Sequence, residues 1–210
     1  MRWPLIAGLT ALALVLGLGA IITLRASPFG FDSEWMSEIT EHRSQFWLVP
    51  SLVMNWVGGG WFGALALPLA ITILFLVLRR PWDAFYFAAA SAGSAILVQI
   101  LKSLFGRARP EDILVHVDAG SFPSGHVANA ATMAVALALI LGRAWIWYAG
   151  AAWVLLMALS RTYLGAHWIS DTVGGALLGA GAAVLVWLCF PRRLTADAEA
   201  PASEANVRRE

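Results

Sequence analysis

Residues 145–190 of the chain read WIWYAGAAWVLLMAL (145–159), SRTYLGAHWISD (160–171) and TVGGALLGAGAAVLVWLCF (172–190). A polar stretch between two apolar runs predicts two helices joined at a membrane surface. If His167 to Asp171 forms the first turn of the second helix, the two side chains lie on one face. The carboxylate can then hold one nitrogen of the imidazole and leave the other free as a nucleophile or base. The alternative is an interfacial histidine beside a helix-capping aspartate.

The composition is that of an integral membrane protein. Of the 210 residues, 60% are hydrophobic and 13% are charged, and the mean hydropathy is +0.72. Soluble domains carry about 25% charged residues, so that class is excluded. Eleven tryptophans, many of them near the ends of apolar runs, fit the aromatic belts of the membrane–water interfaces. The single cysteine, Cys189, excludes an internal disulfide framework.

The apolar runs predict an all-α bundle of six transmembrane helices. The run 3–24 has 22 residues without a charge, enough to cross about 30 Å of hydrocarbon. A signal peptide is the alternative for this run, but its apolar core usually has only about 7–15 residues. The further predicted spans are 61–78, 85–101, 127–141, 145–159 and 172–190.

Two segments of the chain are predicted to lie outside the spans. Residues 46–57 precede Gly58-Gly59-Gly60 and are predicted to form an interfacial or re-entrant segment. Residues 192–210 lack apolar periodicity and are predicted to form a disordered cytoplasmic tail. One membrane domain, 1–191, accounts for the remainder.

The positive charges predict the orientation in the membrane. Six spans put both termini on one side, together with Arg2, Arg79, Arg80, Arg143, Arg192, Arg193, Arg208 and Arg209. The other side holds Arg25, Arg43, Lys102, Arg107, Arg109 and Arg161. Three of these six, Lys102, Arg109 and Arg161, are candidate functional residues and are left out of the count. Eight positive charges then lie on the side of the termini and three on the other side. The termini are therefore predicted to be cytoplasmic, and the loops 102–125 and 160–170 to meet on the outer face.

Two further stretches in these loops carry groups that bind anions. Lys102 and Arg109-Pro110 offer a point charge and a planar fork to phosphoryl oxygens, although basic residues at a span end often only snorkel to the interface. In Phe122-Pro123-Ser124-Gly125-His126, Ser124 can cap a helix and Gly125 lets a backbone N–H approach a ligand. The alternative is a capped helix with an unrelated interfacial histidine.

Taken together, the three stretches predict a site of phosphoryl transfer. They supply a lysine, two arginines, a serine, a backbone amide and two histidines on one side of the membrane. Several positive groups around a nucleophilic imidazole fit this chemistry, in which catalysis is mainly positioning and charge stabilisation. No acidic cluster resembles a Mg²⁺ site, and two of the four histidines lack a motif context for zinc.

The chain resembles the type 2 phosphatidic acid phosphatase (PAP2) superfamily. Its three signature motifs are matched, in order, by Lys102-x6-Arg109-Pro110, Pro123-Ser124-Gly125-His126 and Ser160-Arg161-x5-His167-x3-Asp171. The resemblance implies that His167 attacks phosphorus to form a phosphohistidine, oriented by Asp171, and that His126 acts as the acid and then the base. The groups implied to bind the phosphoryl oxygens are Lys102, Arg109, Ser124, Gly125 and Arg161.

The same resemblance implies the partners of the enzyme. It implies a lipid phosphate or pyrophosphate substrate taken from the bilayer, with no metal, no cofactor and no nucleic acid. Undecaprenyl pyrophosphate is the first candidate, and phosphatidylglycerophosphate or phosphatidic acid the next. There are two rival functions. One is a lipid phosphotransferase, which passes the phosphoryl group to an acceptor hydroxyl, and the other is a catalytically idle membrane scaffold or transport component. The oligomeric state is left open.

Overall fold

Every regular element in the described part of the chain is helical. In this computed structural model the described residues are 2–25 and 27–190, so the tail predicted at 192–210 lies outside them. The elements are α1 (Arg2–Leu24), α2 (Gly30–Glu41), α3 (Gln45–Gly58), a π-helical turn (Phe62–Ala66), α4 (Leu67–Val77), α5 (Pro81–Phe105), α6 (Gly125–Leu141), α7 (Ala144–Tyr163) and α8 (Ile169–Trp187). The predicted all-α class is confirmed over these residues.

Three helices among the described residues are long and apolar enough to cross a membrane: α1, α5 and α8. The helix α3 and the segment Phe62–Val77 are bent by 47° at the break between them, and they form a fourth span if they cross as one broken unit. The predicted spans 127–141 and 145–159 appear as α6, with 17 residues, and α7, with 20. The membrane class is thus supported, while the count of six spans stays a prediction.

The two polar loops are shorter than predicted. The helix α5 continues through Lys102 to Phe105, and α7 continues through Arg161 to Tyr163. The apolar runs mark the thickness of the hydrocarbon layer, whereas the hydrogen-bonded helix extends about a turn beyond it. The helix α5 then ends at Gly106, whose φ of 53° is the left-handed conformation that glycine adopts most readily.

The backbones of α6 and α8 approach each other closely, because glycines of α8 lie at the contact between the two helices. A Cβ atom on Gly175 would lie 2.5 Å from the carbonyl oxygen of Ser124, and one on Gly179 would lie 2.1 Å from that of Ala128. These glycines therefore form a small-residue face that permits a close interhelical contact. It brings the start of α6 against the start of α8, where two of the predicted motifs meet.

The described chain begins and ends at the end of the bundle opposite these motifs. Near the start of α1, Gly8 packs on Leu185 of α8, whereas Gly19, near the end of α1, packs on Phe105 at the end of α5. The ring of Phe190 lies 5.5 Å from that of Phe85 in the first turns of α5. The two described ends of the chain therefore lie at the same end of the bundle, as an even number of passes requires.

The helix α2 lies in a polar segment between the predicted span 3–24 and the predicted re-entrant segment 46–57, and no helix was predicted there. Most of its side chains are exposed, but Asp32 and Met36 are buried. The segment that follows α2 is tied to α7, because the Ser44 N–H donates to the Tyr163 hydroxyl at 2.7 Å and that hydroxyl donates to the Ser44 carbonyl at 2.9 Å. This short amphipathic helix thereby covers the end of the bundle that holds the motifs.

Candidate active site

A cavity of about 370 Å³ lies where α5 ends and α6 begins. Six of the eight predicted site residues line it: Lys102, Arg109, Gly125, His126, Arg161 and His167. The other two, Ser124 and Asp171, are fully buried. The fold therefore collects the three motif stretches at one end of the bundle.

His167 lies in the loop before α8. The sequence interpretation had placed it in the first turn of that helix, which is wrong. The helix begins at Ile169, and Asp171 is its third residue, where one carboxylate oxygen, Oδ2, accepts the Trp168 N–H at 2.9 Å. The loop nevertheless directs the imidazole back, so that its Nδ1 lies 3.5 Å from the same oxygen. The predicted pairing of His167 with Asp171 is retained, but through a helix-entry loop.

The environment of His167 keeps its imidazole neutral. The side chain is only 2% exposed, and this burial lowers the pKa of His167 to about 4, against the opposing effect of Asp171. The Nε2 atom lies 3.3 Å from an NH1 group of Arg109. Since a guanidinium can only donate, Nε2 is the acceptor and the proton lies on Nδ1. The lone pair of Nε2 therefore faces the cationic side of the cavity.

Ser121 joins the histidine–aspartate pair, and the sequence analysis missed it. Its hydroxyl donates to Asp171 Oδ2 at 2.5 Å and lies 3.4 Å from His167 Nδ1. The serine lies two residues before Pro123, where the second motif begins, and belongs to none of the three motifs. No local pattern distinguishes it from any other loop serine, so only the tertiary structure reveals the contact.

Lys102 and Arg109 hold the same loop carboxylate. Asp118 Oδ1 accepts hydrogen bonds from Lys102 Nζ at 3.3 Å and from Arg109 NH2 at 2.8 Å. Both cations also donate to the Gly120 carbonyl, at 2.7 Å and 2.9 Å respectively. Asp118 therefore forms ion pairs with the two predicted phosphate-binding cations, and it lines the cavity.

Arg161 and His126 meet at the end of α3. Arg161 is 1% exposed, and its NH1 donates a very short hydrogen bond to the Asn55 side-chain oxygen. The backbone carbonyl of Asn55 lies 3.3 Å from His126 Nε2. A Cβ atom on Gly59 would lie 1.8 Å from that nitrogen, so the imidazole packs directly on the glycine break. Asn55 could not be predicted as part of the site, because its segment carries no motif.

Ser124 occupies the N-cap position of α6 without capping it. Its backbone is extended and no capping hydrogen bond from the side chain is present, which corrects the predicted role. The hydroxyl is buried and has no hydrogen-bond partner among the described residues. The Ser124 N–H instead donates to the Asp171 carbonyl at 3.0 Å, which joins α6 to α8. The side chain is thus left free to donate to a ligand.

Arg107 and Asp32 extend the site beyond the predicted residues. One guanidinium nitrogen of Arg107, NH1, donates to Asp171 Oδ1 at 2.5 Å and to the Ser170 hydroxyl at 2.7 Å, and NH2 donates to Asp32 Oδ2 at 2.8 Å. Asp32 also accepts the Ser170 N–H at 3.0 Å and its hydroxyl at 2.6 Å. From the sequence, Arg107 counted only among the positive charges of the predicted outer side, and Asp32 was not predicted as a site residue.

These features define a membrane-embedded helical protein with a site suited to phosphoryl transfer. The sequence model of the PAP2 superfamily matches residues 83–195, a range that contains all three motif stretches. The chain belongs to the PAP2 superfamily, as the resemblance predicted.

Relatives and a solved structure agree with this assignment. Phosphatidylglycerophosphatase B of Bacillus subtilis is 29% identical over 157 residues, which cover 70% of each chain. Undecaprenyl-diphosphatase of Sulfolobus acidocaldarius is 39% identical over 70 residues, covering 33% of this chain and 31% of that one. The crystal structure of a transmembrane PAP2-type phosphatidylglycerolphosphate phosphatase from Bacillus subtilis matches with a TM-score of 0.76 and 25% identity, covering 85% of this chain and 93% of that one. We therefore assign the chain to the phosphatases of this superfamily.

Proposed function

We propose that the chain is a metal-independent membrane phosphatase that removes phosphate from a lipid phosphate or pyrophosphate through a phosphohistidine on His167. The observation that carries the proposal is the environment of this imidazole. Its Nδ1 faces Asp171 and Ser121, and its Nε2 faces Arg109 in a cavity lined by further cations. A neutral imidazole held in this tautomer is a nucleophile at neutral pH.

In the first step the Nε2 lone pair of His167 forms a bond to the terminal phosphorus. The bond from that phosphorus to the leaving oxygen breaks, which is the ester oxygen of a lipid phosphate or the bridging oxygen of a lipid pyrophosphate. His126 donates a proton to the departing oxygen. In the second step His126 takes a proton from a water molecule, whose oxygen attacks phosphorus. The N–P bond then breaks and its electron pair returns to Nε2, so that inorganic phosphate leaves and both histidines regain their starting states.

The cations of the cavity supply the charge stabilisation that this transfer needs. Lys102, Arg109 and Arg161 line the same cavity as both histidines. In the proposed complex they bind the equatorial phosphoryl oxygens, aided by the Ser124 hydroxyl and the Gly125 N–H at the start of α6. The unpartnered hydroxyl of Ser124 supports this role, because a buried hydroxyl without a partner costs about 1–3 kcal/mol until a ligand accepts from it.

The substrate proposed first is undecaprenyl pyrophosphate, and phosphatidylglycerophosphate is the second candidate. The first follows the sequence resemblance and the short match to the undecaprenyl-diphosphatase. The second is favoured by the relative that matches over 70% of each chain. Both are amphiphilic phosphates whose tails can remain in the bilayer while the headgroup enters the cavity.

The proposed topology has six spans, cytoplasmic termini and a site at the outer face of the cytoplasmic membrane. The eight arginines predicted on the side of the termini support this orientation. The described ends of the chain, which lie opposite the cavity, are consistent with it. A reporter enzyme fused after Arg209 that is active only in the cytoplasm would support the orientation, and one active outside would contradict it.

The test of function is phosphate release by the purified protein in detergent with EDTA. We expect release from at least one of undecaprenyl pyrophosphate, phosphatidylglycerophosphate and phosphatidic acid, and none from His167→Ala. Trapping of a ³²P-labelled, acid-labile protein adduct would support the phosphohistidine. A phosphoryl group recovered only on an added alcohol acceptor, with no release of free phosphate, would identify a phosphotransferase instead.

A further inference from the structure

A buried charge network stands behind the catalytic histidine of the proposed function. Asp32 and Asp171 are both fully buried, and Arg107 bridges one oxygen of each carboxylate. Ser170 completes the network, since it donates to Asp32 and accepts from Arg107. All these contacts join α2, the loop after α5 and the start of α8.

Arg107 differs in its placement from the arginines assigned to phosphate. It is not among the residues that line the catalytic cavity within the described chain, whereas Arg109, two residues later, is. Both of its terminal nitrogens donate to carboxylates at 2.8 Å or less. Its face also lies 5.7 Å from the centre of the Trp168 ring, next to His167 in the chain. Its donors are directed at protein groups and not at the space for a ligand.

The contacts of Asp171 divide its two oxygens between two tasks. Oδ1 accepts from Arg107, while Oδ2 accepts from Ser121 and Trp168 and faces His167 Nδ1. A buried carboxylate needs a paired charge to remain ionised. Arg107 supplies that charge on the side away from the imidazole, and Asp32 fixes the guanidinium in its turn.

We propose that Arg107 and Asp32 are positioning residues that set the ionisation and orientation of Asp171 and, through it, the tautomer of His167. The inference rests on the proposed function, because it assigns a purpose to the histidine–aspartate pair. It gives α2, the surface helix that carries Asp32, a direct part in organising the site. A simpler role, in which Asp32 only docks α2 on the bundle, makes different predictions.

The kinetic test uses Asp32→Asn, which keeps the shape of the side chain and removes its charge. We expect kcat to fall about 10- to 100-fold, by analogy with the loss of the groups that hold metal ligands in place through hydrogen bonds, with KM nearly unchanged. Arg107→Lys should behave likewise, because an ammonium cannot reproduce the two-sided fork. Glu34→Gln, an exposed carboxylate on the same helix, is the matched control and should retain wild-type kcat.

A double variant separates positioning from docking. If Asp32 acts through Asp171, adding Asp32→Asn to Asp171→Asn should cost less than about threefold in kcat beyond the single Asp171→Asn change. An additional loss as large as in the wild-type background would overturn the inference. So would an Asp32→Asn protein that unfolds at lower temperature but keeps wild-type kcat, because that is the result of docking alone.

A readout without substrate distinguishes failure of the inference from failure of the proposed function. With ¹⁵N-labelled histidine, the four histidines can be observed by NMR and His167 assigned from His167→Gln. We expect a protonated Nδ1 and an unprotonated Nε2 in the wild-type protein, and a mixture of tautomers in Asp32→Asn and Arg107→Lys. Identical His167 spectra would refute the positioning role even if no lipid phosphate were hydrolysed. The expected tautomer in the wild-type protein and a mixture of tautomers in the two variants, without any phosphate release, would instead refute the proposed activity alone.

Discussion

The carboxylate of Asp118 forms ion pairs with two cations, Lys102 and Arg109, that bind phosphate in the proposed mechanism. Removing the charge of Asp118 should therefore strengthen the binding of phosphate. The substitution Asp118→Asn keeps the size of the side chain and abolishes both ion pairs, those with Lys102 Nζ at 3.3 Å and Arg109 NH2 at 2.8 Å. In the wild-type enzyme an incoming phosphate must first displace the carboxylate. We therefore expect tighter binding in the variant, not weaker.

The exposure of Asp118 limits the size of the effect. Its side chain is 61% exposed, whereas those of Lys102 and Arg109 are buried. Ion pairs with an exposed partner contribute about 0.2–1 kcal/mol each, so the two together contribute about 0.4–2 kcal/mol. Since 1.4 kcal/mol is a factor of ten in affinity, the inhibition constant of inorganic phosphate should fall about 2- to 30-fold. The difference should shrink as ionic strength rises, because screening weakens the competing pairs.

The assay is competitive inhibition of lipid hydrolysis by inorganic phosphate in detergent micelles, at low and high salt. Glu111→Gln is the matched control, because it removes a charge from the same loop, and the Glu111 side chain has no ion pair with a described residue. If Asp118 instead serves to hold Lys102 and Arg109 in place for the substrate, Asp118→Asn will weaken phosphate binding. That change of sign, or no change relative to the control, would refute the displacement argument.

Three further predictions concern the histidines. His167→Ala should abolish phosphate release, and Asp171→Asn should lower kcat about 10⁴-fold, as loss of the orienting aspartate does in serine hydrolases; near-normal kcat in either variant would contradict the mechanism. Gly59→Ala should displace His126, because the new Cβ would lie 1.8 Å from Nε2, and lower kcat about 10²-fold, whereas Gly17→Ala, with open space around it, should not. Because the pKa of His167 is lowered to about 4 from an ordinary value of about 6.5, the unfolded chain binds the extra proton between these values. The free energy of unfolding should therefore rise with pH from about 4 to 6.5, and His167→Gln should flatten that rise in the thermal unfolding temperature.

The sequence predicted which residues lie together where they follow motifs, but not the contacts that form only in the tertiary structure. His167 and Asp171 are four residues apart, and the spacing alone indicated their pairing. Ser170 and Asp32 are 138 residues apart, and nothing in either stretch indicates the other. Asn55 and Ser121 were missed for the same reason.

The boundaries of the helices show a second limit of the sequence pattern. Hydropathy reports where the chain is dehydrated, and not where its backbone hydrogen bonds end, so the predicted loops began too early at Lys102 and Ser160. The mixed charges that hid α2 belong to a helix with one buried face. The break Gly58-Gly59-Gly60 was interpreted correctly as an interruption, and its close packing on His126 gives the physical reason for the small residues.

The balance of charge explains why three buried arginines at one end of the bundle serve different purposes. Arg107 has two buried carboxylates within ion-pair distance, so its charge is neutralised by the protein itself. Arg161 is as deeply buried, but its partner is the neutral Asn55, its Nε has no hydrogen-bond partner, and no described carboxylate forms an ion pair with it. The charge of Arg109 is only partly neutralised, because its partner carboxylate, that of Asp118, is exposed to solvent. A buried cation without a counter-charge is costly unless a ligand supplies one. In the proposed mechanism the arginines that the protein leaves unneutralised bind the dianionic phosphate, whereas the neutralised Arg107 belongs to the scaffold, although Arg107 and Arg109 are only two residues apart in one motif.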